Sequence, residues 1–338
     1  MKILILGGTG TISSEIVRQA LAAGHSLTLV NRGNRPSAYQ DQVTSVVADR
    51  SDKAAFAEAM KPLQADVVID MICFNEENAR QTVELFADRV QQIIVTSSIA
   101  AYNRPYHSFP IREEAETLRT SPDFGYGFHK AEAERYLQSQ MNHHQAAITI
   151  IRPSFTFGAG TANLGILRQN RNLVRRIQEG KPVVMVGEGG IPWTFTFARD
   201  LASAYVLSAG NEKTYNDAFH VTNTELVMWE DLYKAIGSAL GKEVEMCYIS
   251  SVLLREFYPE VCAHLNFEKV HFNYYSIEKF RRAVPEYHPV VGLQEGIREV
   301  MDWWEATGFP YDEEKDKLED QICGLYKQFE KDLLALRP

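Results

Sequence analysis

A tyrosine and a lysine four residues apart are the first candidates for chemistry in this sequence. Tyr126 and Lys130 lie in "FGYGFHKAEAERYL", where helical spacing would place both side chains on one face. A tyrosine can give or take the proton of a carbinol hydroxyl, and a neighbouring ammonium stabilises the phenolate that forms. The pair is therefore typical of hydride transfer between a carbinol carbon and a nicotinamide.

The spacing alone is weak evidence, because it recurs at Tyr275 with Lys279 and at Tyr311 with Lys315. Position along the chain separates the three pairs. Tyr126 follows a hydroxyl-rich strand end, "IIVTSSIAAY", at a distance that lets a loop fold back. We therefore interpret the first pair as the functional one.

A serine at that strand end is the third candidate. A hydroxyl beside the reacting oxygen would hydrogen-bond it and orient it against Tyr126. Ser98 and Ser97 both qualify by type, and the register of the strand favours Ser98.

A glycine-rich turn precedes these residues at the start of the chain. In "GGTGTIS", Gly7 and Gly10 lie between an apolar strand and a helix that begins with Thr11 and Ile12, and Ser13 stands where a third glycine is usual. Such a turn lets the backbone approach a pyrophosphate at a helix N-terminus. The alternative is a tight turn without a ligand, but the strand and helix context favours a dinucleotide site.

The end of the second strand indicates which dinucleotide is bound. An NAD site usually has an acidic ribose reader there, whereas this sequence has Asn31, followed by Arg32 and Arg35. A guanidinium suits a 2′-phosphate, so the residues favour NADP(H). Arg32 could instead stack on the adenine or face water. Asp49 could reach the adenine amine or be an ordinary loop aspartate.

The elements needed to position these residues recur as short apolar runs between helix-compatible stretches. This pattern predicts an α/β fold with a Rossmann-type doubly wound parallel sheet, followed by a smaller mixed C-terminal substrate lobe. We expect residues 1–160 to form the NAD(P)-binding domain, with 198–222 returning to it, and 161–338 to form the substrate lobe and C-terminal helices. A helix is predicted over 166–178.

Composition narrows the class of partner. The formal charge is −9, with 45% hydrophobic and 23% charged residues, which fits a globular protein that binds small molecules rather than nucleic acid. The four scattered cysteines lack metal-ligand spacing, and no apolar run is long enough for a membrane helix. We expect a cytoplasmic protein with no metal and no membrane association.

Taken together, "GGTGTIS", "TSSIAAY", "YGFHK" and "RPSFTFG" resemble the extended short-chain dehydrogenase/reductases, the NAD-dependent epimerase/dehydratase family. The resemblance implies a Rossmann sheet with a smaller lobe, and a substrate cleft between them. It implies that the hydroxyl four residues before Tyr102 is catalytic, which is Ser98. It also implies that Lys130 holds the nicotinamide ribose and that the protein forms a homodimer.

Departures from the family pattern restrict the reaction. Ile99 and Ala100 stand where the family's dehydratases carry Asp-Glu, so a dehydratase is disfavoured. Trp193 replaces the arginine that clamps the diphosphate of a nucleotide sugar, which weakens that assignment. Trp193 and Asn163 are tentative substrate residues, although Trp193 could equally fill the interior between the lobes.

The sequence therefore predicts an NAD(P)-dependent oxidoreductase, epimerase-like or reductase-like. It would transfer hydride at a secondary alcohol or ketone of a sugar or a nucleotide-sugar-like substrate. The alternative is a Rossmann-based RNA-binding or regulatory protein related to the chloroplast stem-loop binding proteins, because the strand end "VNRG" resembles theirs.

Overall fold

The computed structural model describes residues 1–161, 164–167, 171–257 and 259–337. The strands are β1 (Lys2–Leu6), β2 (Ser26–Asn31), β3 (Thr44–Val47), β4 (Val67–Asp70), β5 (Gln92–Thr96), β6 (Ala147–Pro153), β7 (Phe155–Phe157), β8 (Val183–Val186), β9 (Pro192–Trp193), β10 (Phe195–Phe197), β11 (Asp217–Val221), β12 (Val227–Met228) and β13 (Met246–Ile249). The helices are α1 (Thr11–Ala22), α2 (Lys53–Met60), α3 (Glu76–Phe86), α4 (Gly125–Gln140), α5 (Leu173–Gln178), α6 (Ala198–Ser208), α7 (Trp229–Leu240), α8 (Ser251–Phe257), α9 (Pro259–Cys262), α10 (Glu278–Ala283), α11 (Leu293–Thr307) and α12 (Glu313–Leu334).

The main sheet has seven strands in the order β11-β6-β5-β4-β1-β2-β3. Every neighbouring pair in it is parallel. The chain leaves β1 toward β2 on one side and later returns to β4 on the other, so the winding reverses between β1 and β4. This arrangement confirms the predicted doubly wound sheet, and such a switch point is where ligands bind in this class of fold.

Alternation along the strands explains why the sheet is covered on both faces. Ile3 and Ile5 of β1 lie in one buried cluster, which also contains residues of α1 and α6. Leu4 and Leu6 of the same strand lie in the other cluster, with residues of α2 and α3. Because consecutive side chains of a strand point to opposite faces of the sheet, a continuous apolar run contributes residues to both buried clusters.

The described chain divides into two compact units. The first comprises Met1–Thr156, Thr196–Thr224 and Tyr275–Val291, and it contains the main sheet. The second comprises Phe157–Phe195, Glu225–Tyr274 and Gly292–Pro338. The return of Tyr275–Val291 to the first unit was not predicted from the sequence; in this segment Phe280 of α10 packs on Phe219 of β11.

In the second unit, β8 pairs with β13 in parallel and β9 pairs with β12 antiparallel. The predicted helix over 166–178 is wrong in its first part, since the helix begins at Leu173. At Ile166, Tyr233 Oη accepts the backbone N–H at 3.1 Å, and Lys269 Nζ donates to the carbonyl at 2.7 Å. Ile166 is therefore held by side chains from distant parts of the chain, ahead of the helix.

None of the described helices is long and apolar enough to cross a membrane. Across the same described ranges, no group of three or more His, Cys, Asp or Glu side chains is arranged to hold a metal ion.

Candidate active site

A groove of about 970 Å³ runs along the carboxyl ends of β1, β2 and β4 in the first unit. Its lining includes most of the residues that the sequence predicted for the adenosine side of a cofactor, namely Gly7, Gly10, Asn31, Arg32, Arg35 and Asp49. Thr11 and Ile12 form the first turn of α1, whose leading N–H groups have no partner within the helix. The predicted cradle residues are therefore gathered at the switch point of the sheet.

Two glycines of the turn have backbone conformations that side chains disfavour. Gly7 has φ +113°, and a Cβ there would lie 3.3 Å from Cβ of Met71. Gly8 has φ +102°, and a Cβ there would meet the Leu29 side chain at 3.1 Å. Sequence reasoning missed Gly8, although the doubled glycine was a signal for it.

Gly10 differs from both, because its φ is −93° and it precedes α1 in an extended conformation. Its N–H donates to Ser13 Oγ at 2.9 Å, and the Ser13 hydroxyl donates back to the Gly10 carbonyl at 3.3 Å. The serine in the third glycine position thus closes the turn onto the helix. Gly10 leaves the groove open by lacking a side chain.

The turn after β2 is shaped by Asn31, whose Oδ1 accepts the Gly33 N–H at 2.8 Å. This bond holds the exposed Arg32 on the rim of the groove. In the same groove, hydrogen bonds from the N–H and the hydroxyl of Ser51 lower the pKa of Asp49, and the charge of Arg32 contributes. Asp49 therefore carries its negative charge beside the arginine.

A third arginine at the groove, Arg50, was not predicted. Its Nη1 contacts both carboxylate oxygens of the buried Asp70 at 3.2 Å, and its Nη2 donates to Thr82 Oγ1 at 3.0 Å. Because its guanidinium is already bound by these groups, Arg50 is a structural element of the groove wall rather than a partner for a ligand phosphate.

Lys130 lies in α4, one turn after Tyr126, and is 3% exposed. Its Nζ donates to the carbonyl oxygens of Cys73 at 2.6 Å and Thr96 at 2.7 Å. Burial lowers the pKa of Lys130. Nζ also lies 5.2 Å from the ring centroid of Phe74, which lines the groove. The buried amine is thus fixed between the ends of β4 and β5, at the wall of the groove.

The cysteine beside this lysine is not a nucleophile. Burial raises the pKa of the Cys73 thiol to about 12, so the thiol stays protonated near neutral pH. Cys73 is therefore a packing residue of the core.

Tyr126 is 43% exposed, and its ring meets Phe124 edge-on at 6.2 Å. The helix that carries it, α4, packs against the 3₁₀ turn Ile99–Ala101. Ser98 caps that turn, with its Oγ accepting the Ala100 N–H at 3.2 Å. The structure therefore brings the segments of Ser98, Tyr126 and Lys130 together at the carboxyl end of β5.

Ser97, the competing serine, is 4% exposed and donates its hydroxyl to Glu134 Oε1. Its hydroxyl is therefore committed inside the protein, whereas Ser98 is only partly buried. This difference supports the preference for Ser98.

The tentative substrate residues lie in a different part of the chain. Trp193 is 2% exposed in the second unit, and its ring packs on Trp229 with centroids 4.9 Å apart. This contact lies within the second unit, and a substrate contact of Trp193 stays a prediction. Asn163 lies outside the described residues.

In the two other Tyr-x-x-x-Lys pairs, side chains contact other groups of the protein. Tyr275 is 2% exposed, and Lys279 donates to the carbonyl oxygen of Ala218 at 3.0 Å and pairs with Asp217. Tyr311 lies under the Arg175 guanidinium, 3.9 Å from its ring centroid.

Comparison with known proteins gives a family match and relatives along most of the chain. The sequence model of the NAD dependent epimerase/dehydratase family matches residues 3–221. Over 242 residues the chain is 24% identical to the 2′-dehydrokanamycin reductase of Streptomyces kanamyceticus, covering 72% of this chain and 67% of the relative. Over 323 residues it is 27% identical to a chloroplast stem-loop binding protein of 41 kDa from Arabidopsis thaliana, covering 90% and 80%.

Solved structures share the fold. The UDP-glucose 4-epimerase of Thermotoga maritima, solved with UDP-glucose, superposes with a TM-score of 0.72 at 17% identity, covering 91% of this chain and 99% of that one. The UDP-glucuronic acid 4-epimerase of Bacillus cereus, solved with NAD, gives 0.71 at 17% identity with the same coverage.

Proposed function

Because the chain belongs to the NAD dependent epimerase/dehydratase family, we propose that it is an NADP(H)-dependent oxidoreductase. It would reduce a ketone of a sugar-like substrate to a secondary alcohol, or catalyse the reverse. The observation that carries the proposal is Lys130, a buried amine fixed by two backbone carbonyls one helical turn after the exposed Tyr126.

Tyr126 would supply the proton. During ketone reduction its phenol gives a proton to the substrate oxygen as hydride reaches the carbon, and during alcohol oxidation the phenolate takes that proton back. The hydroxyl of Ser98 would hydrogen-bond the same oxygen and hold it toward Tyr126 Oη. The exposure of Tyr126 supports this role, since a proton donor must reach the substrate.

Lys130 would serve both the phenol and the cofactor. Its two carbonyl acceptors use two of the three N–H groups of an ammonium, so one remains for a ribose hydroxyl. The positive charge would also stabilise the phenolate of Tyr126.

The groove fits a dinucleotide. A Cβ on Gly7 or Gly8 would press against neighbouring side chains, and the N-terminus of α1 opens beside Gly10. When bound, a nicotinamide dinucleotide supplies or accepts the hydride. Arg32 and Arg35 would bind a 2′-phosphate, which is the basis for proposing NADP(H) over NAD(H).

Reduction is favoured over epimerisation by a relative and by the sequence. The relative from S. kanamyceticus is, by its name, a reductase of 2′-dehydrokanamycin. Trp193 stands where the family's nucleotide-sugar epimerases carry the arginine that clamps the diphosphate, which weakens an epimerase assignment. The RNA-binding alternative is not favoured, given the family match and a net charge of −9.

The test is NADPH oxidation, followed by absorbance, against a panel of keto-sugars, aminoglycoside ketones and nucleotide keto-sugars. We expect turnover in the wild type and its loss in Tyr126→Phe with NADPH binding retained. Tyr136→Phe, which removes a half-buried hydroxyl from the same helix, is the matched control and should turn over normally. Activity surviving in Tyr126→Phe would refute the assignment.

The cofactor content of the purified protein separates the two reaction types. A reductase exchanges its cofactor in every turnover, so we expect protein purified without bound cofactor that binds added NADPH. Tightly retained oxidised cofactor would favour an epimerase instead. We also propose, from the family relationship alone, that the protein is a homodimer. Sedimentation velocity measures its oligomeric state.

A further inference from the structure

Buried hydrogen bonds hold both ends of the segment from Ser97 to Tyr102, which contains Ser98. At its start, the Ser97 hydroxyl donates to Glu134 Oε1. At its end, Tyr102 Oη accepts from Arg152 Nη1 at 2.7 Å. Glu134 and Arg152 are bound to each other, with Arg152 Nε at 3.0 and 2.9 Å from the two carboxylate oxygens. The Glu134–Arg152 ion pair therefore binds both ends of the segment, at Ser97 and at Tyr102.

The same pair ties this segment to helix α4. Glu134 lies one turn after Lys130 and two turns after Tyr126, so the three share one side of the helix. Lys130 bonds the carbonyl oxygen of Thr96, and Glu134 bonds the next residue, Ser97. The helix is thus attached to the end of β5 at two successive turns, which fixes its position along its own axis.

At the Tyr102 end of the segment, the direction of each hydrogen bond follows from which groups can donate. A guanidinium only donates, so Tyr102 Oη accepts from Arg152 Nη1. The Ser276 carbonyl, 3.2 Å from Nδ1 of His220, only accepts, so a neutral His220 carries its hydrogen on Nδ1. Its Nε2, 2.7 Å from Tyr102 Oη, therefore accepts the tyrosine proton. Burial, aided by the charge of Arg152, lowers the pKa of His220 well below its ordinary value and keeps it neutral.

This pair is costly to maintain. Glu134 is 0% exposed and Arg152 is 4% exposed, so both charges have given up water. A buried ion pair often contributes no more stability than apolar residues of the same volume. Stability is therefore a weak reason for its presence, whereas fixing one geometry is a sufficient one.

We propose that Glu134 and Arg152 are positioning residues. Through Ser97 and Tyr102 they set the placement of Ser98 relative to Tyr126 and Lys130. The inference rests on the proposed function, because it assigns the pair a role in that reaction. Neither residue would touch substrate or cofactor.

The experiment compares Ser97→Ala and Glu134→Gln with the wild type. A misplacement of about 1 Å costs up to about 100-fold in rate, so we expect kcat to fall between about 10-fold and about 100-fold. KM and the dissociation constant of NADPH should stay within about twofold, because the binding groups are untouched. Hydrogen exchange should rise in peptides covering 97–102 and stay unchanged in peptides covering β1.

Thr149→Val is the matched control. Thr149 is 0% exposed in the amino-terminal half of β6, and its hydroxyl donates to the Thr214 carbonyl at 2.8 Å. Like Ser97→Ala, Thr149→Val removes a buried hydroxyl from the first unit. We therefore expect a comparable fall in melting temperature with kcat unchanged. Should Glu134→Gln fail to fold, Ser97→Ala decides.

A kcat within twofold of wild type in folded Ser97→Ala, or an equal loss in Thr149→Val, would overturn the positioning role. If this happens while turnover still depends on Tyr126, the proposed function survives. A wild type without turnover, or an active Tyr126→Phe, overturns both.

Discussion

A Cβ atom on Gly127 would lie 2.3 Å from the backbone carbonyl oxygen of Ala100, closer than any side chain can be placed. The missing side chain is what lets α4 meet the turn that Ser98 caps. Gly127 directly follows Tyr126, so the contact lies between the segments of the proposed proton donor and the proposed serine. The distance between these groups therefore depends on a glycine.

Gly127→Ala should push α4 away from the Ser98 turn. We expect a loss of about 1–3 kcal/mol in the free energy of unfolding, as for an overpacked core, and a fall in kcat larger than the change in KM. Chemical denaturation and steady-state kinetics measure these effects. Gly125→Ala, two residues earlier, is the control, because a Cβ there meets nothing within 4 Å. Equal behaviour of the two variants would show that the contact is unimportant.

The glycines of the first turn should separate folding from cofactor binding. Gly8→Ala forces a side chain into φ +102° against Leu29, so we expect a loss of about 1–2 kcal/mol in stability. Gly10→Ala has an ordinary backbone and only Ser13 Oγ at 3.5 Å, so it should fold normally and bind NADPH about tenfold more weakly. Thermal unfolding and fluorescence titration with NADPH test the pair. Full affinity in Gly10→Ala would exclude a close approach of the cofactor there.

Arg32→Ala should discriminate between the two dinucleotides. A charged hydrogen bond to a 2′-phosphate contributes about 1.5–3 kcal/mol, so the NADPH dissociation constant should rise by about 10-fold or more. Binding of NADH should change by less than about twofold, since it lacks that phosphate. Lys53→Ala is the control, because this groove cation is already paired with Glu77. Equal losses for both dinucleotides would contradict the proposed role of Arg32.

The sheet was predictable because its signal is local. Each strand is a short apolar run, and a parallel strand buried on both faces needs little else. The position of Gly7 follows for the same reason, since the strand before it and the helix after it are both visible in the sequence. The error at 166–178 shows the limit, because the apolar pattern was helical while the contacts of Ile166 are with Tyr233 and Lys269, which lie far along the chain.

The candidate site was predictable only where residue type and spacing coincide. Tyr126 and Lys130 share a helix, so their relation needs no tertiary information. Glu134 shares that helix too, but its role depends on Arg152 in another strand, and a salt bridge between distant elements leaves no pattern in one sequence. Arg50 resembled a ligand-binding residue in type, and only its contacts with Asp70 show that its charge is already matched.

Acidification should weaken the fold through His220. Burial holds its folded-state pKa well below the 6.5 of an unfolded chain, so below that pH the unfolded state takes up a proton that the folded state refuses. The free energy of unfolding should therefore fall with pH below about 6.5, by up to about 1.4 kcal/mol per unit for this one proton. Glu113, whose pKa burial raises, contributes with the opposite sign, so the comparison must be between variants. The free energy of unfolding, measured by denaturation from about pH 7.5 to about pH 5, should fall less steeply with decreasing pH in His220→Gln than in the wild type. His143→Gln, which removes an exposed histidine, is the control and should show the same slope as the wild type. Identical slopes in the wild type and His220→Gln would mean that His220 binds its proton equally well in the folded and unfolded states, which would contradict a pKa lowered by burial.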